Sequence, residues 1–244
     1  MTALEHSHKE EDIRVRLAQG HRSNYLADWI YGGIDGTVTT FAIVAGVIGA
    51  DLSASVLFIL GVANLIADGF AMAAGNFLGT KSERDNYERV LGVEHRHIAL
   101  EPDGEREEIR QIFAAKGFFG DDLERVVSVI TSDLALWAKT MALEEYGLSP
   151  NHRSPLLAGL STFAAFVICG SVPLLSYLFA GDLSACIIAT GVTFFGVGAI
   201  KSFWSPAGWL RSGAETLIIG MVAAALAFMV GFGLKEYFNL PAGI

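Results

Sequence analysis

Residues 155–180 read PLLAGLSTFAAFVICGSVPLLSYLFA, a run of 26 residues without a charged side chain. A helix of about 20 apolar residues is long enough to cross the hydrocarbon core of a bilayer, which is about 30 Å thick. Four further runs are predominantly apolar, at approximately residues 29–50, 55–78, 184–200 and 213–234. The sequence therefore predicts an all-α integral membrane protein with five transmembrane helices.

The charged residues are concentrated outside these runs. The 244-residue chain is 52% hydrophobic and 18% charged, with a formal net charge of −9. Most of the charges lie in residues 1–28 and 79–154. This acidic balance argues against a nucleic-acid partner, because nucleic-acid binders usually carry a basic face. Cys169 and Cys186 both lie in apolar runs and suggest neither a disulfide framework nor a metal motif.

The basic residues predict the orientation in the membrane. Residues 1–28 hold four Lys or Arg and residues 79–154 hold ten, whereas the turns at 51–54 and 181–183 hold none. Cytosolic loops are enriched in Lys and Arg, so we expect both basic segments in the cytosol. The predicted organisation is a cytosolic amphipathic segment at 1–28, helices 1 and 2 at 29–78, a cytosolic helical insertion at 79–154, helices 3–5 at 155–236 and an external tail at 237–244.

Two predicted transmembrane helices carry polar groups. In the first, Asp35, Thr39 and Thr40 fall on approximately one face. A carboxylate inside a membrane span is costly and usually marks a transport or proton path. A structural explanation is also open, because Asp35 is near the cytosolic end of its helix and could form a cap or an ion pair there.

The second predicted helix carries Asn64, Asp68 and Met72 at intervals of four residues, which aligns them in one stripe. Oxygen ligands beside one thioether suit a borderline divalent transition metal. Met72 could instead be packing, and Asn64 could hydrogen-bond two helices together. Asp68 is harder to explain structurally, because it lies near the middle of the span.

The polar insertion predicts three amphipathic helices, at approximately 81–98, 104–116 and 120–147. Each presents a pair of potential ligands three or four residues apart, and such residues share a helix face. The pairs are Glu94 with His97, Glu105 with Glu108, and Met141 with Glu145. If the three helices converge, these side chains could bind Fe²⁺, Mn²⁺, Co²⁺ or Zn²⁺. The alternative is a solvated charged surface, since the segment holds 15 acidic and 10 basic residues.

Glu94 and His97 also form the Glu-x-x-His spacing of di-iron carboxylate bundles. Those bundles use two such motifs with two further glutamates, and this chain has one motif. A di-iron oxidase is therefore a secondary hypothesis.

Four stretches together resemble the vacuolar iron transporter family of plants, fungi and bacteria. They are YGGIDGTVTTFAIVAG at 31–46, ANLIADGFAM at 63–72, PDGEREE at 102–108 and MALEEYGL at 141–148. The resemblance extends over about residues 23–236. It implies a homodimer of five-helix subunits that exchanges cytosolic Fe²⁺, and often Mn²⁺, for protons along a path at the dimer interface.

The resemblance also implies roles for particular residues. Asp35 matches the family's carboxylate in helix 1, and Met72 matches its methionine in helix 2. The ligands of the family's cytosolic domain are matched by Glu94, Glu105, Glu108, Met141 and Glu145. Three positions depart from the pattern: Asn64 and His97 stand where glutamates are expected, and Ala142 stands where a second methionine is expected. Asp68, one turn from Asn64, could replace the missing carboxylate.

We therefore predict a proton-coupled antiporter, not an enzyme, that moves Fe²⁺ and Mn²⁺ out of the cytosol. Co²⁺, Ni²⁺ and Zn²⁺ are further candidate cargo, and no cofactor is required. The expected partners are a second copy of the chain, metal ions, protons and the lipid bilayer. The expected location is a vacuolar membrane or a bacterial inner membrane. The main alternative is a membrane-anchored metal sensor through which nothing crosses.

Overall fold

A computed structural model describes residues 7–18, 23–150 and 153–238 of the chain. The start of the predicted N-terminal segment and the predicted tail after residue 238 lie outside the described residues. The helices are α1 (Glu10–Ala18), α2 (Leu26–Gly49), α3 (Ala54–Leu100), α4 (Pro102–Ala115), α5 (Gly120–Thr131), α6 (Leu134–Glu144), α7 (Pro155–Ala180), α8 (Leu183–Lys201) and α9 (Trp209–Phe238). A short 3₁₀ helix covers Ser202–Trp204, and no strand occurs in the described part of the chain.

The chain divides into two compact units. One falls within Met1–Arg22 and Gly79–His152, and the other within Ser23–Leu78 and Arg153–Ile244. We call the first the polar unit and the second the membrane unit. Helix α3 contributes residues to both.

Among the described residues, five helices are long and apolar enough to cross a membrane: α2, α3, α7, α8 and α9. They include the five predicted apolar runs, so the prediction of an all-α integral membrane protein is confirmed. Their outward faces are apolar as well, because large side chains such as Phe179, Val192 and Ile219 are mostly exposed. In water such surfaces would be unfavourable, whereas lipid tails are an apolar solvent for them.

Local signals explain where α7 and α8 begin and end. Pro155 is the first residue of α7, where its missing N–H costs no hydrogen bond, and the Ser154 hydroxyl accepts a bond from the Leu157 amide. Gly181 ends α7 in a left-handed conformation with φ of 64°. The Asp182 carboxylate then caps α8 by accepting bonds from the amides of Ser184 and Ala185.

Helices α2 and α7 pack with almost no space between their backbones. A Cβ atom at Gly36 would lie 2.4 Å from the carbonyl oxygen of Phe166, and one at Gly32 would lie 2.3 Å from that of Thr162. Small residues of this kind allow close contact between helices in membranes. The packing fixes the position of α2, which carries Asp35.

We expect Gly36→Ala to destabilise the membrane unit. The added methyl group would meet backbone atoms of α7, which cannot rotate away, and overpacking of this kind costs up to about 3 kcal/mol. Thermal unfolding in detergent should show a lower midpoint. Gly196→Ala is the matched control, because nothing lies within 4 Å of its Cβ position. Equal midpoints for the two variants would contradict this account of the packing.

In the polar unit, two predicted helix boundaries are wrong. No separate helix begins near residue 81, because α3 continues through this region without a break from Ala54 to Leu100. The predicted third helix at 120–147 is divided into α5 and α6, which are bent by 112° relative to each other. Asp133 causes the second difference, because its carboxylate accepts hydrogen bonds from the amides of Ala135 and Leu136 and so begins a new helix.

An apolar core holds the helices of the polar unit together. Ile109 from α4, Val127 and Ile130 from α5, and Trp137 and Met141 from α6 are all buried in it. An ion pair on the surface supports the same arrangement, with the Arg110 Nε atom 2.8 Å from a carboxylate oxygen of Glu124. This core brings the acidic residues of α3 and α4 and the end of α6 to one place.

Candidate functional site

The polar unit brings the predicted acidic ligands together. One ligand atom from each of Glu94, His97 and Glu105 lies within 4.8 Å of the others. The His97 Nδ1 atom is 3.3 Å from Glu105 Oε1. Glu108 and Glu145 are close enough for their charges to raise the pKa of Glu105. We call these five residues the acidic cluster.

Two carboxylates of the acidic cluster are buried with oxygen atoms that have no hydrogen-bond partner among the described residues. Glu94 is 0% exposed and Glu105 is 5% exposed. Within the part of the chain that the structure describes, neither oxygen of Glu94 and not the Oε2 atom of Glu105 has a hydrogen-bond partner. A buried, unpaired carboxylate is unfavourable by several kcal/mol, and a bound cation would remove most of that cost. The cluster therefore has the oxygen and nitrogen donors of a divalent cation site, and it lacks the positive charge that would balance its carboxylates.

Burial and mutual repulsion change the acidity of this cluster. The pKa of Glu105 is raised to about 7, first by burial and then by the negative charges of Glu108 and Glu94. Burial and the same kind of repulsion raise the pKa of Glu145. The pKa of the neighbouring Tyr146 rises to about 12, because its phenol is partly buried and faces the carboxylates of Glu145 and Glu94.

We expect divalent metal to compete with protons at Glu105. A raised pKa means that the folded, metal-free protein holds this proton up to about pH 7, and bound metal must displace it. The apparent affinity for Mn²⁺ should therefore fall by at least about tenfold between pH 8 and pH 6. Without metal the stability of the fold has the opposite pH dependence, since protonation of Glu105 favours the folded state and this contribution is lost as pH rises through about 7.

Calorimetric titration of the full chain at several pH values measures this competition. Glu105→Gln should bind Mn²⁺ more weakly and with a flatter pH profile. A wild-type affinity that does not change with pH would show that Glu105 is not a ligand.

The structure places Met141 and Glu145 differently from each other. Met141 is completely buried and belongs to the apolar core beside Ile109 and Trp137. Glu145 follows the end of α6 and is exposed, as is Glu108 on α4. The geometry supports Glu145 as a rim residue of the acidic cluster, and it shows a packing role for Met141. A role of Met141 as a metal ligand stays a prediction.

In the membrane unit, polar groups of α2 and α3 face each other. The Asn64 amide donates a hydrogen bond of 3.3 Å to the Thr39 hydroxyl. The carboxylates of Asp35 and Asp68 are near enough to repel each other. All four residues are half-buried and lie within otherwise apolar helices. We call these four residues the polar wall.

Thr40 and Met72 do not extend the polar wall in the way the sequence suggested. Thr40 is fully buried, although it was expected on the same face as Asp35. Met72 is partly buried and packs against the apolar core that contains Phe41 and Phe166. Its role as a metal ligand stays a prediction, because packing explains its position.

Sequence reasoning missed a buried network at the start of α2. The Asp28 carboxylate, only 3% exposed, is paired with the Arg153 guanidinium and accepts a 2.8 Å hydrogen bond from the Asn76 amide. The same amide is 2.7 Å from the Thr162 hydroxyl. The Arg153 guanidinium lies over the Tyr25 ring, 5.6 Å from its centre. Asp28 lies next to an apolar run. Its sequence neighbours give no signal of partners as distant in the sequence as Asn76 and Arg153.

Comparison with known proteins agrees with these features. A model of the VIT family matches residues 26–232. The vacuolar iron transporter of Centaurea cyanus is 32% identical over 213 residues, covering 85% of this chain and 87% of that protein. Vacuolar iron transporter 1 of Arabidopsis thaliana is 32% identical over 208 residues, covering 83% of each chain. Vacuolar iron transporter 1 of Eucalyptus grandis is 32% identical over 229 residues, covering 90% of this chain and 92% of that protein.

These matches include every residue of the polar wall and of the acidic cluster. The resemblance seen in the sequence is therefore confirmed over almost the whole chain. With five membrane helices, a helical polar unit and this extent of similarity, the chain belongs to the VIT family.

Proposed function

We propose that this protein carries Fe²⁺ out of the cytosol in exchange for protons. The names of its relatives support iron transport, and they favour transport over an enzymatic role such as di-iron oxidation. Mn²⁺ is the second proposed cargo, followed by Co²⁺, Ni²⁺ and Zn²⁺. The metals are cargo, and the proposal includes no resident cofactor.

The polar wall is the observation that carries this proposal. Asp35 and Asp68 bring two carboxylates close together inside apolar helices, next to the amide of Asn64. Two negative charges at short range are unfavourable unless a cation or a proton lies between them. Fe²⁺ and H⁺ therefore compete for the same oxygens. This competition is the basis of exchange, because protons arriving from the far side displace the metal.

The acidic cluster supports a second step, which is capture of metal in the cytosol. The buried charges of Glu94 and Glu105 favour binding from dilute solution, and the exposed carboxylates of Glu108 and Glu145 attract cations to the rim. We propose that the polar unit binds cytosolic metal and supplies it to the membrane unit.

A metal sensor without transport is the alternative. It would need the acidic cluster but not the polar wall. A membrane anchor gains nothing from paired carboxylates in its spans, and such residues are rare in helices that only anchor a protein. Asp68, near the middle of its span, therefore favours transport.

Flux measurements in proteoliposomes test the proposal. Purified protein is reconstituted with a metal-sensitive dye and, in parallel, with a pH-sensitive dye inside the vesicles. We expect Fe²⁺ entry that is accelerated by an acidic lumen and accompanied by proton efflux. Metal binding without flux of either ion would support the sensor and overturn the proposed transport. Metal flux without proton flux would refute the exchange.

The homodimer and the cellular location belong to the same proposal. We propose two copies of the chain in a vacuolar membrane or a bacterial inner membrane, with the N-terminus and residues 79–154 in the cytosol. The names of the relatives support the vacuolar membrane, the resemblance implies the dimer, and the concentration of Lys and Arg in these segments supports their cytosolic placement. The mass of the detergent-solubilised particle and protease accessibility in sealed vesicles test the two parts separately.

A further inference from the structure

We propose that His97 sets the metal selectivity of the acidic cluster, favouring Ni²⁺, Co²⁺, Zn²⁺ and Fe²⁺ over Mn²⁺ and Mg²⁺. This inference rests on the proposed metal binding by the cluster. It goes beyond that proposal because it assigns the choice between metals to one side chain.

The position of His97 carries the first step. Its ring is the one nitrogen donor among the five residues of the acidic cluster. The Nδ1 atom lies 3.3 Å from Glu105 Oε1, and one nitrogen of the ring lies within 4.8 Å of a carboxylate oxygen of Glu94. A cation placed between these three side chains would therefore meet imidazole as well as oxygen.

The buried carboxylates carry the second step. Glu94 is fully buried, and both of its oxygens lack a hydrogen-bond partner among the described residues. It supplies the negative charge and a fixed oxygen donor at the base of the cluster. The His97 side chain, in contrast, is 51% exposed, so its ring has room to adjust to the metal. The fixed oxygens attract any divalent cation, and the adjustable nitrogen distinguishes between them.

Ligand chemistry gives the direction of the preference. Carboxylate sites suit Mg²⁺, Ca²⁺ and Mn²⁺, whereas imidazole suits Fe, Ni, Cu and Zn. A neutral imidazole in place of a carboxylate also lowers the negative charge of a site. The lower charge weakens the binding of cations that are held mainly by electrostatic attraction. Both effects disfavour Mn²⁺ and Mg²⁺ relative to Ni²⁺ and Co²⁺.

Calorimetric titration of the full chain in detergent, with Ni²⁺ and Mn²⁺ as probes, tests this inference. His97→Glu should lower the ratio of Ni²⁺ to Mn²⁺ affinity by about tenfold or more, since changes around a metal commonly alter affinity by 10–100-fold. His95→Gln is the matched control, because His95 is exposed on the same helix and lies outside the cluster. The ratio of Ni²⁺ to Mn²⁺ affinity in His95→Gln should equal that of the wild type.

The visible spectrum of bound Co²⁺ gives a second measurement that does not depend on affinity. Loss of a nitrogen ligand should change the spectrum in His97→Glu and leave it unchanged in His95→Gln. If His97→Glu keeps the wild-type affinity ratio and the wild-type spectrum, the selectivity role is refuted. A failure of the proposed metal site looks different: Glu94→Gln would then bind both metals as tightly as the wild type.

Discussion

Replacing Asp35 with alanine is expected to reduce Fe²⁺ flux in proteoliposomes to nearly that of vesicles without protein. The loss should be at least about 100-fold, since changes to groups that only orient a metal ligand already cost 10–100-fold. Asp68→Ala should have an effect of the same kind. Proton flux driven by the metal should disappear together with metal flux in both variants.

The physical reason is the cost of a dehydrated cation in an apolar span. Fe²⁺ in the membrane unit must exchange water for protein oxygens, and Asp35 and Asp68 supply the only two carboxylates of the polar wall. Removing one of them leaves half of the compensating negative charge. It also removes an oxygen at which proton and metal compete, so exchange is lost even where some metal still enters.

Asp51→Ala is the control for this experiment. Asp51 is also a carboxylate of the membrane unit, but it lies in the turn after α2, where it is 3.2 Å from Lys235. It should transport Fe²⁺ at close to the wild-type rate. Wild-type flux in both Asp35→Ala and Asp68→Ala would show that the polar wall is not the transport path.

The membrane fold could be predicted because its signal is local. Runs such as residues 155–180 contain no charge over the length of a bilayer, and only a helix satisfies the backbone there. Local signals also set the ends of these helices, since Ser154, Gly181 and Asp182 act within one turn of the chain. The repeated spacing of Glu94 with His97 and of Glu105 with Glu108 likewise predicted shared faces, which the structure brings together.

Other features depend on which of two competing interactions is stronger, and the spacing of residues in the sequence does not show this. The sequence predicted one helix over residues 120–147, whereas the Asp133 carboxylate caps a new helix within that range. Met141 has the correct spacing from Glu145 for a ligand pair, yet the core formed by α4, α5 and α6 takes up its side chain. Spacing shows which residues share a face, whereas tertiary packing decides what that face contacts.

Asp28 is the clearest case of a contact that spacing does not show. Its replacement is also expected to have the second large effect, a loss of stability. Asp28→Ala should lower the stability of the membrane unit by about 3–5 kcal/mol, the usual cost of removing one partner of a buried ion pair. For a chain of this size that corresponds to a fall of about 6–20 °C in the unfolding midpoint. Thermal unfolding in detergent, followed by the loss of monodisperse protein, measures it.

The effect should be large because Asp28 serves two partners on different helices. Its side chain is 5% exposed, and it holds the Arg153 guanidinium before α7 and the Asn76 amide on α3. Without the carboxylate, the Arg153 guanidinium loses its buried counter-charge and the Asn76 amide loses one of its acceptors. The network fixes the start of α2 against α3 and α7, so its loss should loosen three helices together.

A double-mutant cycle separates this pair from the general effect of mutation. Asp28→Ala and Arg153→Ala should each be strongly destabilising, and the double variant should cost clearly less than their sum, because each single change already removes the same interaction. Arg211 with Glu215 is the matched control pair, with side chains 79% and 48% exposed at a separation of 3.2 Å. A coupling energy near zero is expected there, since solvent screens exposed pairs. If the two pairs showed equal coupling, burial would not be the source of the Asp28 effect.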